Sequence, residues 1–164
     1  MKEIIVLKVD SKEDMEDFIQ FPNILYADCP YYVPDLDIDV QSTFNPQKNA
    51  GLEFSEIQAF IAFNRKGKLL GRIAGIINHR ANRKWKTRNV RFGFFDFVDD
   101  IHVSSELLNA VAQWGKEKGN FNLKFFTQCG KCYLIGIHFY IFRLYIRFFV
   151  NTKRKCFTFC IFKY

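Results

Sequence analysis

Apolar positions recur along the first two thirds of the chain at spacings that distinguish strands from helices. Residues 3 to 9 (EIIVLKV) contain a short apolar run, which is typical of a buried strand. A helix is predicted over residues 12 to 20, because apolar residues fall at helical spacing and Ser11 with Asp14 resembles a capping box. We expect Pro22 to end this helix.

Three further apolar runs predict strands. The runs at residues 57 to 64 and 68 to 78 flank a short polar turn, which is typical of a β-hairpin. Gly71 and Gly75 leave gaps in the second run, which predict a bulge or the close approach of another backbone. The third run, residues 90 to 98, contains aromatic residues that cannot alternate strictly between two faces. We therefore expect a bulge or two covered faces.

A second long helix is predicted to end at Lys118. Its apolar stripe has helical spacing, Ser104 or Ser105 can cap its amino terminus, and Gly119 suits the position after its last turn. Residues 21 to 47 contain all four prolines, so they should be irregular with short helical pieces. The order β, α, irregular, β, β, β, α predicts an α/β (α+β) domain, with a further strand immediately after Gly119.

Composition changes abruptly after residue 119, although the chain as a whole is basic. The 164 residues carry 24 Lys and Arg against 17 Asp and Glu. Residues 1 to 119 hold all 17 acids and 16 of the basic residues, which gives this part a net charge of −1. Residues 120 to 164 hold the other eight basic residues and no acid, for a net charge of +8. The basic isoelectric point therefore belongs to the tail.

The tail of residues 120 to 164 also differs in its residue types. It is rich in Phe, Ile, Tyr, Lys, Asn and Cys, whose codons are A/T-rich, and it lacks Ala, Pro, Asp and Glu. Our leading hypothesis is a frameshifted or rearranged gene with a tail that has no native fold; a lineage-specific basic extension is the alternative. A zinc site at the tail cysteines and a membrane span over residues 132 to 150 are less favoured, because bulky apolar residues surround the cysteines and charges interrupt the span.

Four segments of the first part are distinctive: YADCPYYVPDLDID, AFIAFNRKGKLLGRIAGIINHRAN, RFGFFDFVDD and AVAQWGKEKG. In order and spacing they resemble the amino-terminal half of a bacterial group in the GNAT superfamily of acyl-CoA N-acyltransferases. The resemblance covers about residues 3 to 119 and implies, for residues 1 to 119, an incomplete GNAT-like mixed sheet with flanking helices. In that group the last helix leads into a strand of the form GPLGF, which nothing in the aromatic and basic tail matches.

The resemblance also implies where acetyl-CoA or another acyl-CoA would bind. In the superfamily the fourth strand pairs with the pantetheine arm, and amides at the start of the next helix bind pyrophosphate, since free N–H groups and the helix dipole favour an anion. The corresponding cofactor-binding residues are Phe97, Val98, Val103, Ser104 and Ser105. The usual glycine-rich pyrophosphate signature is replaced here by DDIHVSS, in which Asp99 and Asp100 would repel a pyrophosphate.

By this resemblance, the intact relatives transfer an acyl group to an acceptor amine by direct attack on a thioester. We expect this chain to be a truncated relative without the complete active site, because the following strand and the later acid of the superfamily are missing after residue 120. No catalytic residue, metal ligand, acceptor or specific protein partner is predicted. Asp96, in an apolar strand, is a better candidate for a perturbed pKa than His79 or His102, and a hydrogen bond at the strand end is the equal alternative.

A non-enzymatic role is the alternative to acyl transfer. Residues 79 to 91 contain six Lys or Arg, no acid and Trp85. With the basic tail they could contact a polyanion, either nucleic acid or an acidic membrane surface. A solvated loop is the simpler interpretation of residues 79 to 91. The amino terminus has no long apolar stretch of the kind found in secretory signals, so we expect a cytoplasmic location.

Overall fold

A computed structural model describes residues 3 to 125, in which five strands form a single sheet in chain order. The strands are β1 (Ile4–Lys8), β2 (Ser55–Asn64), β3 (Leu69–Asn78), β4 (Asn89–Phe97) and β5 (Asn122–Phe125). β1 to β4 pair antiparallel, whereas β5 pairs parallel with β4. This mixed sheet, with helices between its strands, confirms the predicted fold class and the predicted β2–β3 hairpin.

Helices cover both faces of the sheet. They are α1 (Lys12–Leu25), α2 (Asp37–Phe44), α3 (His79–Lys84) and α4 (Ile101–Glu117), with a short 3-10 turn at Ala50–Glu53. On one face, α4 buries the apolar stripe that the sequence predicted, including Val103, Leu107 and Val111, against β3 and β4. On the other face, Phe18 of α1 and Val40 of α2 pack against the sheet. The two faces are called the α4 face and the α1 face below.

α1 continues past Pro22 to Leu25, so the predicted end of this helix is wrong. A proline inside a helix has no N–H for the carbonyl four residues earlier, which here belongs to Phe18. Arg72 of β3 donates to that carbonyl instead, from Nη1 at 2.8 Å. The helix then resumes its normal pattern, with the Tyr26 N–H donating to the carbonyl of Pro22 at 2.9 Å. A tertiary contact therefore replaces the hydrogen bond that the proline removes.

α4 begins earlier than the predicted caps Ser104 and Ser105. The N-cap is Asp100, whose carboxylate accepts from the His102 N–H at 3.0 Å. Aspartate caps a helix as well as serine does, so either position was compatible with the local sequence. Ser104 is fully buried inside the first turn, where its hydroxyl donates to the carbonyl of Ile101. The prediction of a serine cap is thus wrong.

β4 is bulged at Phe94, as the spacing of its aromatic residues predicted. The register between β3 and β4 shifts beside Arg72. Between the pairs Arg72–Asp96 and Ala74–Gly93, β3 has one residue and β4 has two. Phe94 has a φ of 50°, a left-handed value that is uncommon for a residue with a side chain. The bulge sends Phe94 to the α1 face and both Phe95 and Phe97 to the α4 face.

The two glycines of β3 allow side chains of α4 to approach the sheet closely, whereas the gaps predicted a bulge or the close approach of another backbone. A Cβ at Gly71 would lie 2.9 Å from a methyl carbon of Leu107. A Cβ at Gly75 would lie 2.9 Å from the ring of Trp114. Contacts this short do not occur for real Cβ atoms, so any larger residue would push α4 outward.

Residues 120 to 125 continue the domain beyond the boundary expected after Gly119. Asn120 is buried and accepts a hydrogen bond from the Asn82 side chain at 2.9 Å, and β5 then pairs with β4 over four positions. The composition break therefore does not coincide with a break in the described fold, because backbone pairing makes few demands on residue type. The other predictions for the tail, including a missing native fold, a zinc site and a membrane span, fall on residues 126 to 164, outside the described residues.

Candidate functional site

The second half of β4 has an open edge within the described part of the chain. β5 pairs with β4 only from Asn89 to Phe92. On the opposite edge, Val98 donates its N–H to the carbonyl of Leu70 in β3 at 2.9 Å. Because backbone groups of alternate residues point to opposite edges of a strand, the N–H and C=O of Phe97 point away from β3. The same alternation applies to residue 95, so two pairs of backbone groups line this edge.

A buried polar cluster lies on the α1 face of the same half-strand. Arg72 Nε donates to Asp96 Oδ2 at 2.8 Å, and the two side chains are only 4% and 12% exposed. The Tyr26 hydroxyl donates to the other carboxylate oxygen, Oδ1, at 2.9 Å. The guanidinium carbon also lies 5.0 and 5.4 Å from the ring centroids of Phe18 and Phe94. The buried charges are thus paired, and both carboxylate oxygens have donors.

The phenols beside this cluster are held in the protonated form. Burial raises the pKa of Tyr26 well above its usual range, and the negative charge of Asp96 adds to the effect. Burial also raises the pKa of Tyr32, whose ring centroid lies 5.1 Å from that of Tyr26. The Tyr32 hydroxyl donates to Asn23 Oδ1 at 2.7 Å. At neutral pH both phenols therefore act as hydrogen-bond donors.

The segment from the end of α1 to α2 exposes apolar side chains near these tyrosines. The large apolar residues exposed here are Ile24, Tyr31, Val33, Leu36 and Ile38. The same segment carries four acids and no basic residue between positions 24 and 39. It is therefore an apolar and acidic surface, which suits a ligand with both an apolar part and a positive charge.

Two of the predicted cofactor residues lie at the end of β4. Phe97 is the last residue of the strand and Val98 follows it, with both side chains packed against the core on the α4 face. The Val98 amide is already bonded to β3, so it cannot donate to a ligand. The outward N–H and C=O of Phe97 match the predicted pairing with a pantetheine arm better than the Val98 amide does.

The other three predicted residues lie in the first turn of α4. Val103 and Ser104 are fully buried, and their amides donate to the carbonyl of Asp100 at 3.1 and 3.4 Å. Ser105 is exposed. This turn follows the end of β4 closely in the chain. However, the amides of Val103 and Ser104, which were predicted to bind an anion, already donate to a carbonyl of the helix itself.

The amino terminus of α4 does not fit a pyrophosphate. The carboxylate of Asp100 already occupies the capping position, and Asp99 stands beside it with an exposed side chain. Two negative charges at the positive end of a helix take up its free donors and repel an approaching anion. The edge of β4 does fit an extended amide-containing arm, because its outward N–H and C=O groups have no described partner. The described residues therefore offer outward backbone groups at the end of β4 and two acids at the start of α4.

Asp96 forms hydrogen bonds, as one of the two alternatives predicted for it, but its partners Arg72 and Tyr26 were not predicted. Arg72 interrupts the apolar run LLGRIAGIIN, and a charge within such a run was the available signal that it is buried and paired. Tyr26 is 70 positions from Asp96, and nothing local indicates that contact. Long-range pairing of this kind becomes visible only when the register of the sheet is known.

A second charged cluster lies at the start of β2, beside a shallow depression of about 480 Å³. Glu56 accepts from Lys118 at 2.6 Å and contacts His79 Nε2 at 2.8 Å. Hydrogen bonding from Lys118, with a further contribution from His79, lowers the pKa of Glu56. These groups satisfy one another and tie the end of α4 to β2, so we assign them a structural role.

Within residues 3 to 125, no group of three His, Cys, Asp or Glu side chains is placed to hold a metal ion. None of the helices described there is both long enough and apolar enough to cross a bilayer.

Sequence comparison identifies two curated relatives, each much longer than the matched region. The chain is 32% identical to Protein YghO of Escherichia coli (strain K12) over 109 residues, which cover 66% of this chain and 27% of that protein. It is 26% identical over 135 residues to the bacterial ceramide synthase of Caulobacter vibrioides, covering 78% of this chain and 35% of that protein. The chain thus spans about a third or less of their length. No family model matches it.

Solved structures share the fold of the described residues. An acetyltransferase of the GNAT family from Staphylococcus aureus MU50 superposes with a TM-score of 0.53 at 17% identity, over 76% of this chain and 74% of that chain. A tandem GNAT protein from the clavulanic acid biosynthesis pathway gives 0.54 at 13% identity, over 75% and 36%. At such identities the likeness concerns the fold alone, and it confirms the GNAT-like fold expected from the sequence.

Proposed function

We propose that this chain, whose described part has a GNAT-like fold, is a relative of acyl-CoA-dependent N-acyltransferases that binds an acyl thioester along the open edge of β4. The observation that carries this proposal is the second half of β4. It is bulged at Phe94 and lacks a described partner strand beyond Phe92. It also presents the backbone groups of Phe95 and Phe97 outward.

The physical basis of this binding is strand addition. A pantetheine arm contains amide groups in an extended chain, and an extended chain can pair with exposed backbone N–H and C=O groups as an added strand does. The bulge at Phe94 supports this role, because it alters the direction of the strand just beyond the last described pair with β5, Phe92 with Phe125. Affinity from such pairing depends on the main chain, so it tolerates the missing glycine-rich signature.

The acceptor side of the proposed site is the α1 face of the same half-strand. The apolar and acidic segment between α1 and α2 would attract an amine that carries an apolar group. Asp96 lies beneath this surface with both of its oxygens engaged by Arg72 and Tyr26. We therefore assign Asp96 and Tyr26 to positioning the strand and the surface above it, and we assign no residue to proton transfer.

We expect the donor to bind without turnover. By the resemblance, transfer also requires a strand that splays away after the helix and an acid that follows later. β5 does follow α4 within the described residues, but by the resemblance the sequence after residue 120 does not match the rest of that pattern, including the position of the acid, which is often a Tyr. The proposed role of this chain is therefore donor binding on an inherited acyltransferase scaffold.

Calorimetric titration of the full chain tests the proposal. Acetyl-CoA should bind, whereas adenosine diphosphate, which has a diphosphate but no arm, should not. Asp99→Asn should tighten acetyl-CoA binding about fivefold, since two charges near 4 Å interact by roughly 1 kcal/mol in water. Asp10→Asn, which removes an exposed acid from the connection between β1 and α1, is the matched control and should change nothing.

Two results would count against this account. If neither the wild type nor Asp99→Asn binds acetyl-CoA, the donor site is wrong. If acetyl-CoA and an added amine release free thiol faster than the buffer does, the expectation of binding without turnover is wrong, while the donor site stands.

A further inference from the structure

Five exposed cations are concentrated on α3 and on the loop from α3 to β4. They are Arg80, Arg83, Lys84, Lys86 and Arg88. None of them has an ion-pair partner within residues 3 to 125, where the ion pairs involve other basic residues. Their charge is therefore available to an external partner.

α3 holds three of these cations on its outer side. Asn82 is buried on the inner side, where its amide donates to Asn120 Oδ1 at 2.9 Å. Arg80, Arg83 and Lys84 are spaced three and four residues apart, so they share one face of the helix. Like charges at this spacing destabilise a helix, and this one has no acid in its first turn. An anionic surface would offset that cost.

Two exposed aromatic rings border the cations. Trp85 follows α3 directly and is 68% exposed, and Phe121, just before β5, is 58% exposed. The amides of Phe121 and Asn122 both donate to the carbonyl of Arg88, whose guanidinium carbon lies 5.7 Å from the Phe121 ring centroid. The two loops thus meet at one end of the sheet. We call residues 79 to 91 together with Phe121 the basic end.

Charge elsewhere in the described chain has the opposite sign. Residues 10 to 39 carry nine acids and one Lys, whereas residues 79 to 91 carry six basic residues and no acid. Such an asymmetry orients a protein in the field of an extended anionic surface, with its basic part facing that surface. The net charge of residues 1 to 119 is close to zero, so it does not reveal this separation of acidic and basic segments.

We propose that the basic end docks on an anionic lipid bilayer, with Trp85 and Phe121 at the level of the headgroups. Tryptophan is favoured at the membrane–water interface, and a cation beside an anionic leaflet strengthens binding about fivefold. Both rings are exposed on turns at the end of the sheet. This favours a bilayer over a single-stranded nucleic acid, which is bound in a groove that follows its backbone.

Co-sedimentation of the full chain with lipid vesicles tests this proposal. Vesicles of phosphatidylcholine with phosphatidylglycerol should bind the wild type, and vesicles of phosphatidylcholine alone should bind it much more weakly. The triple variant Arg83→Ala, Lys84→Ala, Lys86→Ala should lose about a hundredfold in affinity for the anionic vesicles, from about fivefold per cation.

A matched triple variant separates the basic end from total charge. Lys48→Ala, Lys66→Ala, Lys68→Ala removes three exposed charges from other loops and should bind as the wild type does. Because the comparison keeps residues 126 to 164 unchanged, their seven basic residues contribute equally to all three proteins.

Tryptophan fluorescence then locates the contact. The chain has two tryptophans, and Trp114 is only 5% exposed, so Trp85 should be the residue quenched by vesicles with brominated acyl chains. Quenching that disappears in Trp85→Phe supports the proposal. Equal binding of the two triple variants overturns it, as does tighter binding of the wild type to a single-stranded oligonucleotide than to anionic vesicles.

Discussion

Arg72 connects three elements through one guanidinium group. It donates to the carbonyl of Phe18 that Pro22 leaves without a helical partner, and to the carboxylate of Asp96. Burial of an ion pair does not by itself stabilise a protein, because the cost of desolvation can exceed the Coulomb gain. Here the guanidinium also satisfies a buried carbonyl, so its loss would leave two acceptors without donors. Arg72 therefore fixes α1 against the half-strand that we assign to the site.

Tyr26→Phe tests the hydrogen bond on the other side of Asp96. Removal of the hydroxyl leaves a largely buried carboxylate oxygen without its donor, so the free energy of unfolding at neutral pH should fall by about 1 to 3 kcal/mol. Denaturant titration measures this. Tyr32→Phe, which breaks only the bond to an amide oxygen of Asn23, should cost less.

The pH dependence of the free energy of unfolding provides a second test of Tyr26→Phe. The pKa of Tyr26 is raised in the folded state, so the folded chain keeps a proton that the unfolded chain releases above about pH 10. The stabilisation is complete below that pH and is lost as the pH rises further. The difference in stability between wild type and Tyr26→Phe should therefore narrow above about pH 10; parallel curves would contradict this role.

Gly115 decides how closely α4 packs against β4. A Cβ at this position would collide with the side chain of Val90, and it would lie 3.1 Å from the carbonyl oxygen of Asn120. In an exposed helix, Gly→Ala stabilises by about 1 kcal/mol. At Gly115 the effect on stability should be the opposite. Gly115→Ala should lower the free energy of unfolding by about 1 to 3 kcal/mol, because the helix must shift to make room for the methyl group.

An exposed position on the same helix provides the control for this prediction. Asn109→Ala should leave thermal stability unchanged or raise it slightly, since alanine has the higher helix propensity. Melting temperatures of the two variants, followed by circular dichroism, decide the matter. A Gly115→Ala protein as stable as Asn109→Ala would show that α4 is not packed as described.

The elements differ in how far the sequence specified them. Apolar periodicity predicted the β2–β3 hairpin, the stripe of α4 and the bulge of β4, because each follows from neighbouring residues. The carboxyl-terminal end of α1 and the amino-terminal start of α4 were predicted wrongly, since the local sequence allowed more than one boundary for each. Pro22 continues a helix only because Arg72 supplies the missing donor, and Asp100 caps α4 although Ser104 was also suitable. A contact distant in sequence accompanies the first of these, whereas the cap of α4 is a local bond from the His102 N–H to Asp100.

The molecule as a whole is less uniform than its average composition indicates. Its basic isoelectric point comes from residues 120 to 164, yet the described part separates an acidic α1–α2 segment from the basic end. The fold could be predicted from the order of elements and from family resemblance. The cluster around Asp96 could be predicted only in part, because its members come from α1, β3 and β4 and meet through sheet register.

The central claim is that the second half of β4 receives an acyl donor, and amide hydrogen–deuterium exchange of the full chain tests it most directly. Acetyl-CoA should slow exchange at the outward amides of Phe95 and Phe97, while amides of the β2–β3 hairpin exchange as before. This pattern follows from pairing of the donor arm with the strand edge. Unchanged exchange at residues 93 to 97 in the presence of saturating acetyl-CoA, or protection confined to the first turn of α4, would contradict the claim.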